Sequence, residues 1–220
     1  MRRLEIAANR TVTFVLPVLL ATGCASGRFP DMTDDGLAKI ARTPLDAVYK
    51  KPGFNPREFD ALVVEECNVQ FRDNWLRDQN RERGPSQLVT VEDMQRISLR
   101  LADACHDAFA ARLDGLAAAK EESPGHTRIL TVRPAVVNLD VLAPDIQASG
   151  RQTPFTTNAV RMDLRLELVD SETGEPVGRI VDHQRADEIG RARPASSVGN
   201  MADAERILRY WAAEVRALLE

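Results

Sequence analysis

The chain is poor in the residues that usually carry chemistry. Its 220 residues include three histidines and three cysteines, and aromatics make up only 5%. His106, His126 and His183 lie in separate segments, and no two stand at a metal-ligand spacing. There is no GxSxG serine elbow and no phosphate-cradling GxxxxGK. No cofactor or metal motif is present to build on, and the chain reads as a non-enzyme. Basic excess is missing as well, since the net charge is -4. A mildly acidic surface argues against nucleic acid as a partner and against polybasic docking on anionic lipid. Beyond the N-terminus no apolar run approaches the roughly 20 residues of a membrane span.

What is present begins with the first two dozen residues. Arg2, Arg3 and Arg10 against Glu5 make a basic start, and Thr11 to Ala21 is a short apolar run interrupted by Pro17. Small residues then lead into Cys24. That order predicts a secretory signal peptide over residues 1–23 rather than a membrane-spanning anchor, because the run is about half the length a span needs. The segment Leu20-Ala21-Thr22-Gly23-Cys24 resembles the lipobox of bacterial lipoproteins. The resemblance implies that Cys24 is acylated (diacylglycerol and palmitate) and becomes residue one after cleavage. Ala25 is not the aspartate that such proteins use for inner-membrane retention, which implies the outer membrane. Removing the leader leaves 197 residues, and taking away its three Arg and one Glu leaves the mature part at about -6. That length suits one domain plus a tether.

With Cys24 assigned to lipid, Cys67 and Cys105 remain in an oxidising compartment. They either form a disulfide or stand as a pair of buried thiols. A domain of this length does not need a staple, which favours two small buried side chains without a bond.

Residues 24–45 are expected to be the lipidated cysteine and a flexible tether, with Gly27, Pro30, Gly36 and Pro44 breaking any periodicity. Residues 46–220 are expected to form a single globular domain. Phe59 to Phe71 is β-rich, with Ala61, Val63, Cys67, Val69 and Phe71 in one phase and Leu62 and Val64 in the other. Thr90 to Asp93 has capping-box spacing, and Met94, Ile97, Leu101, Cys105, Ala108 and Leu113 form the stripe of a helix reaching to about Ala118. Thr127 to Arg133 is a second strand, where Pro134 should disturb pairing. Val160 to Leu168 alternates strictly between apolar and charged residues, the mark of a strand with one face in the core. Asp170 to Pro176 has turn composition, and Val177 to Ala186 returns as a charged edge strand. Asn200 caps a last helix burying Ala204, Ile207, Leu208, Trp211, Val215 and Leu218. The order β-α-β-β-β-α predicts an α+β two-layer sandwich: a mixed four-stranded sheet with two helices on one face.

Tyr49 to Phe54 running into Phe59 to Val64, then Arg133 to Val136, then Leu168 to Glu175, resembles an uncharacterised family of proteobacterial lipoproteins, domain of unknown function 3313. The likeness covers most of the mature chain. It supports the lipoprotein reading and implies no catalytic residues.

Other constellations read as structural. Asp103, His106 and Asp107 share a helical face that is charged and solvated. Cys105 and His106 are adjacent on a helix and do not face each other. Glu65 and Glu66 in a strand point to opposite sides. Arg72, Arg77, Arg81 and Arg83 around Trp75 make the best partner-surface candidate, with Asp73, Asp78 and Glu82 nearly neutralising it. The expected function is a non-enzymatic, periplasm-facing interaction module of the outer membrane. Its acyl chains hold it in the membrane, and an envelope protein is its partner. A small-ligand or glycolipid carrier and an envelope hydrolase are the alternatives.

Overall fold

The computed structural model describes residues 29–116, 128–142, 155–156, 158–187, 193–194 and 197–220. The signal peptide, Cys24 and His126 lie outside them. The strands are β1 (Ala38–Lys39), β2 (Ala47–Lys50), β3 (Ala61–Val64), β4 (Asn68–Phe71), β5 (Ile129–Val141), β6 (Phe155–Thr156), β7 (Asn158–Asp170), β8 (Pro176–Asp187) and β9 (Arg193–Pro194). The helices are α1 (Trp75–Asn80), α2 (Val91–Leu113) and α3 (Ser197–Leu219). A seven-stranded sheet runs β1-β2-β8-β7-β5, with β3 and β4 end to end along the far side of β5. β3 and β4 are parallel to β5, and the other neighbours are antiparallel. The fold is α+β, with a sheet of seven strands rather than four and with α1 as a third helix.

The alternation of β7 builds the core. Val160, Met162, Leu164, Leu166 and Leu168 are at most 3% exposed, while Arg161 and Arg165 on the opposite face are open to solvent. Helix α3 packs over β7 and β8, and α2 packs beside it over β3 and β4. Phe109, Leu208 and Trp211 are fully buried between the layers, each contributing about 1.5–3 kcal/mol of burial. At the start of α2 the Thr90 hydroxyl accepts from the Asp93 N–H while the Asp93 carboxylate accepts from the Thr90 N–H, which completes the capping box. The helix ends at Leu113, short of the expected Ala118.

The expected strand over 59–71 is two strands. Glu65, Glu66 and Cys67 interrupt it and shift the phase, so Leu62 and Val64 pack toward the core and Val63 is 47% exposed. The physical reason is Pro134 on the neighbouring strand. The Glu65 N–H donates to the Val132 carbonyl at 2.9 Å, so the even-numbered residues of this part of β5 turn their backbone groups toward β3 and β4. Residue 134 therefore faces the gap between β3 and β4, where a proline lacking an N–H breaks no ladder. β5 runs straight through Pro134, and its irregularity falls instead between Val137 and Asp140, around Asn138 with φ 53°. That extra residue returns Leu139 and Val141 to the core face.

Three further expectations change. β8 is not an edge strand, because β2 pairs with its first half. The tether reading of residues 31–45 gives way to ordered structure: Leu37 and Leu45 are 0% and 4% exposed, and β1 joins the sheet. Asp31–Glu220 forms one compact unit. The structure also joins Cys67 to Cys105 in a disulfide with Cα atoms 5.9 Å apart, correcting the expectation of unpaired thiols. Cys67 is the last residue of the strand break and Cys105 lies on the core stripe of α2, so the bond pins the helix to the interrupted edge.

Candidate functional site

The Arg–Trp connector is a structural unit rather than an open partner surface. Trp75 is 1% exposed, its ring centroid lies 4.3 Å from that of Phe71, and its Nε1–H donates to the Val141 carbonyl at 2.9 Å. Arg72 pairs with Asp78 at 2.8 Å and with Asp140 at 3.1 Å. Arg77 also reaches Asp78, at 3.0 Å. Hydrogen bonds from Arg72 and then Arg77 hold the Asp78 carboxyl below the ordinary carboxylate range. The cluster locks α1 onto the end of β5, and the guanidiniums of Arg77 and Arg81 stand well into water.

The described histidines have separate tasks. His106 Nδ1 lies 3.2 Å from the Glu65 carbonyl, the group that residue 134 would pair with in an unbroken parallel ladder. The side chain thus fills the gap that Pro134 leaves. Asp103 and Asp107 on the same helix are exposed. His183 Nδ1 lies 2.5 Å from Asp163 Oδ1, and Asn138 Nδ2 donates to the other Asp163 oxygen at 2.7 Å. Glu65 accepts from Arg133 at 2.9 and 3.0 Å, while Glu66 is exposed nearby.

Two buried carboxylates were not singled out in the sequence. Asp182, 2% exposed, lies on the core side of β8. It accepts from the Asp46 N–H at 2.9 Å, the Gln184 amide at 2.8 Å and the Trp211 indole N–H at 2.7 Å. It therefore joins the N-terminal segment, the sheet and α3 through neutral donors. Asp170, also 2% exposed, ends β7. Burial pushes its carboxyl up, but Arg128 and the Glu172 N–H outweigh that and hold it below the ordinary value. The Arg128 guanidinium also lies 4.6 Å from the centre of the Phe59 ring. Asn200, expected as a cap, sits inside α3 and donates to the Leu142 carbonyl at 2.7 Å.

Among the described residues, apolar side chains of both layers are buried between sheet and helices, and two clefts open at the surface. One, of about 450 Å³, has an apolar floor of Phe59, Leu62, Leu116 and Leu130 with Arg57, Arg216 and Glu220 around it. Another, between α2 and α3, is lined by Ala104, Ala108, Ala111 and Ala213 and by charged residues. Among the described residues no three His, Cys, Asp or Glu side chains converge as a metal site.

The face of the sheet away from the helices is polar. Across β5, β7 and β8 it presents Arg133, Glu167 and Arg179 in one row, Arg165 beside Val181 in the next, then Asp163 with His183, then Asp140, Arg161 and Arg185. Arg179 pairs with Glu167 at 3.0 Å and with Asp35 at 2.8 Å. The segment around Asp35 therefore reaches this outer face.

These features define an α+β domain whose polar groups hold secondary structure together. The chain belongs to the family described as Protein of unknown function (DUF3313), whose model matches residues 32–215. No curated protein matches it. Among solved structures, the PelC dodecamer from Paraburkholderia phytofirmans is 12% identical, covers 76% of this chain and 96% of that chain, and has a TM-score of 0.35. A chain from Caulobacter crescentus CB15 described as a "putative lipoprotein" is 17% identical, covers 52% and 80%, and has a TM-score of 0.27. At these scores neither likeness is carried over to this protein.

Proposed function

We propose that this chain is a lipoprotein of the outer membrane that faces the periplasm and acts as a non-enzymatic interaction module, anchored through acylated Cys24. The observation that carries the reading is the Cys67–Cys105 disulfide. Such a bond persists in oxidising compartments and is rare in the cytosol. It is independent of the leader sequence, and both point across the inner membrane. Membership of a family of unknown function supplies no catalytic role. The described histidines are engaged with a backbone carbonyl and with Asp163, and the clefts among the described residues are open to solvent, which does not suit a carried lipid. Cys24→Ser tests the anchor in cells. Loss of fatty-acid labelling and accumulation of the uncleaved chain support the reading, and unchanged labelling refutes it.

A further inference from the structure

The outer face of the sheet holds three arginines whose placement the fold does not explain. Arg161 on β7 stands directly opposite Arg185 on β8, and Arg165 lies further along the same face. All three are exposed, and none has an ion pair among the described residues. Like charges directly opposite each other on a sheet are destabilising. Directly paired residues have Cα atoms about 5 Å apart, so each guanidinium sits in the other's field. The nearby anions are committed elsewhere. Asp140, across from Arg161 on β5, bonds Arg72 at 3.1 Å. Asp163 bonds His183 and Asn138. Glu167 and Asp35 bond Arg179. Among the described residues, a chain of net charge -4 thus keeps three arginines without an ion pair on one face of the sheet, and a local disposition of this kind is invisible to net charge.

The route of the chain says what this face meets. Asp35 binds Arg179 on the outer face, and the Asp31 carbonyl accepts from Lys39 N–H at 2.8 Å. The compact unit therefore begins at the β1 edge of the sheet, a few residues from the Asp35 contact with that face. From Asp31 back to Cys24 there are seven residues, which can span at most about 25 Å. We infer that Arg161, Arg165 and Arg185 dock on the phosphate headgroups of anionic lipid in the membrane that holds the anchor. The inference rests on the proposed acylation of Cys24 for its geometry. Charge complementarity supplies the attraction, and the short reach keeps the domain close enough to feel a surface potential that fades within a Debye length. The three arginines are spread along β7 and β8 rather than converging on one point, which suits a lipid surface better than a small free anion.

The test uses the chain from Ala25 to Glu220, which retains every described strand and helix and lacks Cys24. It is sedimented at low salt with sucrose-loaded vesicles of phosphatidylcholine alone or mixed equally with phosphatidylglycerol, at millimolar lipid. Binding is expected only to the mixed vesicles and should fall as salt is raised. At about fivefold per arginine near an anionic surface, R161Q/R165Q/R185Q should reduce partitioning roughly 100-fold. Arg165→Gln alone should cost about fivefold, and circular dichroism of each variant checks folding. Equal partitioning of wild type and variants, or no preference for phosphatidylglycerol, overturns the inference. Binding to soluble polyglutamate but not to the vesicles would assign the patch to an acidic protein and also overturn it. Because this chain carries no Cys24, the result is independent of the acyl-labelling experiment.

Discussion

Reducing the Cys67–Cys105 bond should cost a large share of the domain's stability. The two cysteines are 38 residues apart. In the chain-entropy model a loop of that size restricts the unfolded chain by roughly 4 kcal/mol. A domain of ordinary stability has about 5–15 kcal/mol in all, so the bond accounts for a substantial part. The native state should lose little, because Cys105 is 0% exposed and Cys67 only 6%, and α2 keeps its capping box and its contacts with α3. The assay is urea unfolding of the Ala25–Glu220 chain with and without reductant, followed by the fluorescence of Trp75 and Trp211. With a slope of about 2 kcal/mol per molar, the midpoint should fall by about 2 M. Thiol counting gives the covalent check: no thiol should react in denaturant without reductant, and both should react with it. A midpoint shift below about 0.5 M would mean that the bond scarcely limits the unfolded chain, contrary to the loop-entropy argument. Two thiols titrating without reductant would remove the disulfide itself.

The core assignment of β7 predicts that Leu164→Asp destabilises by more than about 4 kcal/mol, while Arg165→Asp stays within about 0.5 kcal/mol; similar melting temperatures would mean the faces are reversed. Asp182→Leu should cost about 3 kcal/mol, because the Trp211 and Asp46 N–H groups lose a buried acceptor, and unchanged thermal unfolding would show that the network is idle. Asp170 ionises more readily folded than unfolded, so its contribution is complete above the ordinary carboxylate value of 3.8 and is lost as pH falls toward its lower folded value. Arg128→Ala should move the acid unfolding midpoint upward, and an unmoved midpoint would deny the pair that role.

The parts legible in the sequence are those where local pattern and tertiary environment agree. β7 was read within two residues at either end because its alternation coincides with a sheet that has one buried and one wet face. The hairpin to β8, the capping box at Thr90 and the apolar stripe of α2 were visible for the same reason. The expectations that changed depend on partners far away in sequence. β8 looked like an edge because its charges suited solvent, whereas Arg179 is matched to Asp35, 144 residues earlier. The segment 31–45 has no periodicity because its one strand, β1, contributes only two residues, so its glycines and prolines suggest a tether. The Glu65–Cys67 interruption is imposed by Pro134 on another strand. Asp182 appeared as one more charge in a polar strand, although its even-numbered place beside Ile180 was a signal that it faced the core. The opposed Asp163 and His183 could have been paired by counting outward from the Gly174 turn, and Arg161 with Arg185 by the same count.

The most direct measurement is the intact mass of the protein extracted from cell membranes, taken before and after reduction and alkylation. The account predicts a chain beginning at Cys24, heavier by its acyl chains, that takes up alkylating reagent at two positions only after reduction. A chain that retains residues 1–23, or that begins elsewhere with Cys24 unmodified, would contradict the envelope lipoprotein reading.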